Sequence, residues 1–227
     1  MHGMERGTLN DETDATAADR RLVMRETLAI AITAGLVAVV GVLGLWISAA
    51  ATIRDEYGHY LQTVARTAAL QIDPELHRSL RIPAQRNNAA YIRAVEPLRR
   101  MRAALPDVRY LYTMVRDGQL VRFVLDAAEP GDHDGDGIDD QAGLWEVYSD
   151  SDPAMLVALG TGTSAGMAAA TRRPFSDKWG NFMTGWAPLL DRNGRQFGAL
   201  GVDVDASVYI AHLDQTRRWA LLGLRAG

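Results

Sequence analysis

The sequence predicts an α+β protein, with an N-terminal transmembrane helix and stalk followed by a single antiparallel sheet flanked by helices. Three observations carry this. Thr27 to Ile53 is a run of 27 residues without a charge. Helical periodicity fills the stretch from there to Pro106, and two strand pairs then follow, each closed by a Gly-containing turn. The order helices, hairpin, helix, hairpin, helix is that of an α+β domain built around one sheet.

The apolar run comes first because it sets the compartment. A helix needs about 20 apolar residues to cross the hydrocarbon core of a bilayer, and this segment exceeds that. We therefore expect a membrane helix over 25–53, a disordered cytoplasmic tail over 1–24 and an exported domain over 54–216. Orientation follows from the flanks: Arg20, Arg21 and Arg25 precede the run, whereas Arg54 is followed by Asp55 and Glu56. Positive charge stays in the cytoplasm, so the expected location is the bacterial inner membrane with the N-terminus inside and the domain outside. A cleaved signal peptide is the alternative, since Ala49-Ala50-Ala51 offers a small-x-small site; the apolar run is much longer than the usual h-region of about 7–15 residues.

Outward from the membrane, Ile53, Tyr57, Tyr60 and Val64 recur at helical spacing beside a second stripe of Leu61, Ala65, Ala68 and Ile72, an amphipathic pattern. The first stripe approximates a coiled-coil seam, so a homodimer through the stalk is expected, with an ordinary domain-facing surface as the other reading. Asp73-Pro74 predicts a cap and a new short helix through Leu80. Asn88 to Leu105 predicts another, ended by Pro106. Strands are expected at Arg109–Arg116 and Gln119–Asp126 around Asp117-Gly118, and at Asn181–Leu190 and Gln196–Asp205 around Asp191-Arg192-Asn193-Gly194. A helix over Asp152–Leu159 separates the two hairpins, and a final helix over Ala206–Trp219 is capped by Asp205 or Ser207.

Composition narrows the chemistry. The chain has no cysteine, which excludes disulfides, thiolate nucleophiles and Cys-ligated zinc. Its net charge of -4 gives no electrostatic footprint for nucleic acid. The five histidines form no compact metal motif, and neither a G-x-S-x-G elbow nor a Walker loop occurs, so no enzyme is expected. Gly160–Gly166 lacks the Lys-Ser/Thr ending of a phosphate loop and reads as a flap.

One acidic loop could hold a metal. Asp132, Asp134, Asp136 and Asp140 fall at positions 1, 3, 5 and 9 of a D-x-D-x-D-G-x-x-D run, with Gly137 at the sharp turn and Ile138 placed to offer its carbonyl. Calcium requires six to eight oxygens in such an arrangement. Position 12 is Gly143 rather than the bidentate Glu of an EF-hand, so a solvated acidic turn stands as the other reading.

The segments YLYT at 110–113, FVLDA at 123–127 and DKWGNFMTGWAPLLDRNGRQFGALGVDVDAS at 177–207, behind an N-terminal span and stalk, resemble the extracytoplasmic Cache/PAS-like sensor domain of bacterial transmembrane receptors. The resemblance covers roughly residues 50–215. It implies a PAS-like sheet and a small-molecule ligand held between that sheet and a covering loop, by aromatic side chains and a charged residue. It also implies a signal passed through the terminal helices to a cytoplasmic output domain. Arg217 to Gly227 is then expected to begin a second span cut short, the other reading being a final helix that ends at the membrane face. On the first hairpin, alternation puts Tyr110, Tyr112 and Met114 on one face and Leu111, Thr113 and Val115 on the other. The candidate ligand residues are Tyr110, Tyr112, Arg122, Tyr148, Trp179, Trp186 and Asp203; the competing roles are core packing for the aromatic residues, a surface cross-strand pairing for Arg122 and anchoring of backbone amides for Asp203. The competing function is a calcium-stabilised, membrane-tethered interaction or dimerisation module without signalling.

Overall fold

The computed structural model describes residues 5–150, 152–160 and 166–211, with the side chains of 5–19, 21 and 22 not described. The expected helix beyond 211, the span beginning at 217–227, Trp219 and most of the 160–166 flap lie outside these residues. Two compact units divide at Ala49/Ala50.

The first unit is the N-terminal part of one helix, α1 (Glu5–Ala69). Helical backbone thus covers 5–24, where the sequence reads as a disordered tail; Ala, Glu, Arg and Leu, frequent there, are good helix formers. Among the described residues α1 contains the one segment long and apolar enough to cross a membrane, within Val23–Ala69. Its large side chains from Val23 through Ile47 are exposed apart from half-buried Val42, as a surface made for lipid would be.

The second unit is a seven-stranded antiparallel sheet with helices on both faces. Its strands are β1 (Val108–Asp117), β2 (Leu120–Asp126), β3 (Val147–Tyr148), β4 (Ala169–Ala170), β5 (Phe175–Asp177), β6 (Gly180–Leu190) and β7 (Gln196–Asp205). Their spatial order is β3-β2-β1-β7-β6-β4, with β5 also paired to β6. The two long hairpins therefore meet at β1 and β7 in the middle of the sheet. Gly118 and Gly194 take positive φ of 62° and 73° in the two hairpin turns, a conformation that glycine adopts without steric strain.

The helices begin where their caps dictate. Asp73 Oδ1 accepts from the amides of Glu75 and Leu76 at 2.9 Å, starting α2 (Pro74–Ser79). Asn88 accepts from the Tyr91 amide at 2.8 Å, starting α3 (Ala89–Ala104). Asp152 caps α4 (Pro153–Leu159) in the same way. Each supplies an acceptor to a donor the first turn leaves unpaired. After β7, Asp205 accepts from the Ser207 amide at 2.7 Å as a new helix begins at 206.

Each face of the sheet has its own core. On one, Leu111, Val115, Met183, Ala187, Leu200, Val202 and Val204 pack against Leu61, Ala65 and Ala68 of α1 and against Tyr91, Val95 and Leu98 of α3. On the other, Tyr110, Tyr112, Met114, Phe123 and Trp186 pack with Met155, Ala158 and Leu159 of α4 and with the loop that follows β2. The division follows the alternation of side chains along β1. Gly185 marks how closely α1 lies on β6: a Cβ there would fall 2.5 Å from the backbone of Leu61.

The stalk stripe is divided by this packing. Val64 is buried in the first core, and Tyr57 packs against it and against the ring of Tyr209 at 5.5 Å. Tyr60 remains exposed. A continuous Ile53-Tyr57-Tyr60-Val64 seam is thus not free to meet a partner helix, because the domain's own core uses half of it.

Candidate functional site

A small cavity lies on the sheet face opposite α1 and α3. Tyr110, Tyr112, Phe123, Asp126, Asp140, Ala142, Asp177, Trp179 and Asp203 line it. Its free space is about 10 Å³, room for about one water molecule. The strands supply the floor: Asp203 of β7 stands between Tyr110 of β1 and Thr184 of β6, and Gly201, further along the strand, stands between Tyr112 and Trp186. A Cβ at Gly201 would lie 2.7 Å from the Tyr112 ring and 2.8 Å from that of Trp186. Only glycine lets both rings close over the strand.

The aromatic walls form a chain of edge-to-face contacts. Tyr112 meets Phe123 at 5.4 Å and Trp186 at 5.6 Å between centroids, and Phe123 meets Trp179 at 5.3 Å. These are favourable geometries for quadrupolar rings. Trp179 is fixed from outside by its indole N–H, which donates to the Asp139 carbonyl at 3.0 Å. Lys178, paired with Glu146, sits 4.1 Å from its ring centroid.

Carboxylates provide the polar content. Asp203 is buried and accepts from the Tyr112 hydroxyl at 3.3 Å. Burial pushes its pKa up to about 8, and the charges of Asp177 and Asp126 add to this, against hydrogen bonds from Thr184 and Tyr112. Burial also pushes Asp126 up to about 6, although the amides of Ala128 and Ala142 donate to its two oxygens at 2.8 Å. Asp177, half-buried, is raised by its burial too, opposed by the Trp179 amide and by the Tyr148 hydroxyl, which donates at 3.0 Å. Removing a carboxylate from water disfavours its charged form, and neighbouring carboxylates act in the same direction.

The residues expected from sequence separate into three groups. Tyr110, Tyr112, Trp179 and Asp203 line the cavity. Tyr148 and Trp186 stand behind it: Tyr148 holds Asp177, and Trp186 backs Tyr112 while its indole donates to Asp152 at 2.8 Å. Arg122 is not part of it. Its guanidinium donates to Asp117 at 2.6 Å and to the Trp145 carbonyl at 3.0 Å, a cross-strand and loop-fastening role. Asp126, Asp140, Asp177, Phe123 and Ala142 belong to the cavity and were not among the expected ligand residues.

The acidic loop brings three of its expected carboxylates together and turns the fourth away. Asp132, Asp134 and Asp136 bring one oxygen each within 4.8 Å of one another. Asp140 turns inward instead: one oxygen takes the Tyr110 hydroxyl at 2.6 Å and Arg109 at 3.3 Å, the other the His133 amide at 3.0 Å. Asp132 accepts from the amides of Gly137 and Gly135, which hold its pKa below the usual carboxylate value. Asp134 pairs with Arg109 at 2.8 Å, and the Ile138 amide donates to Asp136 at 2.8 Å. The loop is thus organised by its own amides and one arginine, and Asp140 ties it to the cavity.

Fold and cavity together define an α+β domain with a small polar and aromatic cavity on one sheet face. No family model matches the chain, and no curated protein does. Among solved structures it is similar to the ligand-binding domain of the Campylobacter jejuni chemoreceptor Tlp3 in complex with L-valine, at 15% identity and a TM-score of 0.41, over 71% of this chain and 58% of that one. The sensory domain of the same receptor with isoleucine bound gives 15%, 0.40, 71% and 57%. This chain therefore spans less than two thirds of the structures it resembles.

Proposed function

We propose that this chain is a membrane-anchored extracytoplasmic sensor module. A small molecule binds in the aromatic and carboxylate-lined cavity, and the terminal helices carry the response to an output domain. The supporting observation is the cavity itself: Asp126 and Asp203 buried, and Asp177 half-buried, beside aromatic rings, with no cation among the lining residues; Arg102 and Arg86, outside the lining, only partly oppose the rise at Asp126. Carboxylates with pKa values perturbed by burial in a cleft are characteristic of a site. The anchor reading rests on the apolar part of α1, and the outward orientation on the arginines before it.

The response follows from the size of the free space. A ligand larger than water enters only by moving Trp179 or the loop carrying Asp140 and Ala142, so bound and unbound states differ in structure. That difference gives the differential affinity on which any signal depends. The test is thermal unfolding of the full chain in detergent micelles with amines, amino acids, carboxylates and calcium, repeated with Asp203→Asn and Trp179→Ala. Organic compounds should raise the midpoint in the parent and not in the variants. Stabilisation by calcium alone would support the interaction-module reading instead.

A further inference from the structure

The cavity has a charge pattern that selects its ligand further than the sensor reading requires. Four of its nine lining residues are aspartates, and none is Lys, Arg or His. Asp140 has a cationic partner in Arg109. Asp126, Asp177 and Asp203 form no salt bridge among the described residues, and their hydrogen bonds come from backbone amides and hydroxyls. Among the lining residues a ligand carboxylate would meet carboxyl groups and no cation, Arg109 being engaged with Asp134 and Asp140 at the rim, whereas a bound cation favours the ionised form of those groups in a place of low dielectric.

The kind of cation follows from spacing and from the walls. Asp132, Asp134 and Asp136 are the only acidic group among the described residues whose oxygens all approach within 4.8 Å, so no three cavity carboxylates converge closely enough for one bare metal ion. An extended molecule with separated charges can bridge them. Aromatic faces attract ammonium groups, and these rings already do so from outside: Arg109 lies 5.4 Å from the centroid of Tyr110, and Lys178 rests on Trp179. Between the carboxylates the surface is apolar, formed by Tyr110, Tyr112, Phe123 and Trp179.

Resting on the sensor reading, the geometry points to a small aliphatic diamine without a carboxylate, with one ammonium at Asp203 and the other at Asp126 or Asp177, and its chain laid on the aromatic rings. This differs from the amino acids in the neighbouring structures, whose carboxylate would find no cation among the lining residues.

Calorimetry on the full chain in detergent micelles tests it, with 1,4-diaminobutane, butylamine, ornithine, succinate and calcium chloride as probes. Diaminobutane should bind at least tenfold more tightly than butylamine or ornithine; Asp203→Asn should weaken it at least tenfold, and so should one of Asp126→Asn and Asp177→Asn, whereas the absence of an effect in both would overturn the second ammonium site. Circular dichroism of the variants should match the parent. Ornithine or succinate binding as tightly, with the same sensitivity to Asp203→Asn, would overturn the diamine and leave the sensor reading intact. Butylamine matching diaminobutane would overturn the second ammonium site. Heat from none of the organic probes, together with no response to a wider set of amino acids, would remove both.

Discussion

Asp203 resists ionisation, and that gives the site a pH signature. The groups facing it are Tyr112 of β1, Thr184 of β6, Asp177 of β5 and Asp126 of β2; none is a cation. Its folded pKa of about 8 stands above the ordinary aspartate value of 3.8. Its contribution to stability is therefore full below about pH 4 and declines as the unfolded chain ionises first. The loss is complete once the pH passes about 8, each tenfold difference in proton affinity between folded and unfolded chain being worth about 1.4 kcal/mol. Asn at 203 keeps an oxygen for Tyr112 and has no proton to lose. We predict that Asp203→Asn unfolds at a higher temperature than the parent at pH 8.5, with the gap narrowing toward pH 4.5; a constant gap would contradict the assignment. Gly201→Ala should act oppositely, since its methyl meets two buried rings, costing about 1–3 kcal/mol in thermal unfolding. At this scale four of the residues expected from sequence, Tyr110, Tyr112, Trp179 and Asp203, line the cavity, whereas the other carboxylates there were not legible. Asp126 and Asp177 end strands, where an aspartate reads as a turn residue or cap. A bulge between Thr113 and Met114 also shifts the pairing of β1 with β2, so simple alternation does not place Asp126 opposite Tyr112.

Elements were more legible than their side-chain partners. Both hairpins, α2, α3 and α4 fall within a residue or two of the expected boundaries, because Asp73, Asn88, Asp152, Gly118 and Gly194 each carry a local physical cause visible in sequence. The short strands β3, β4 and β5 have two or three residues each, too few for any period to show. The two-sided use of α1 was equally hidden, since a stripe alone does not say what covers it. Two outcomes follow from its packing. Gly185→Ala should destabilise the domain by about 1–3 kcal/mol, because backbone rather than a movable side chain occupies the space; chemical denaturation would measure it. If copies pair through this helix, single cysteines at exposed Tyr60 should crosslink in membranes and those at buried Val64 should not. Equal crosslinking at both would mean that the helix leaves the sheet.

At the scale of the whole molecule, the apolar stretch within Val23–Ala69 predicts that the full chain sediments with membranes and resists alkaline carbonate. Arginines replacing Leu36 and Val40 should release it, since each costs about 2.5–3.5 kcal/mol near the middle of a bilayer. Overall class was readable from charge-free length and hairpin turns, whereas the assignment of two separate cores to two sheet faces required the structure. The sheet also ends well. Its longest strands lie inside, while two-residue β3 and β4 form the outer borders, and toward the β3 border the amides of Phe123 and Trp145 are taken up by contacts between β2 and a loop. A border this brief offers little template for a foreign β-segment. Copies of such a sheet brought together at high concentration are thereby guarded against polymerising edge to edge.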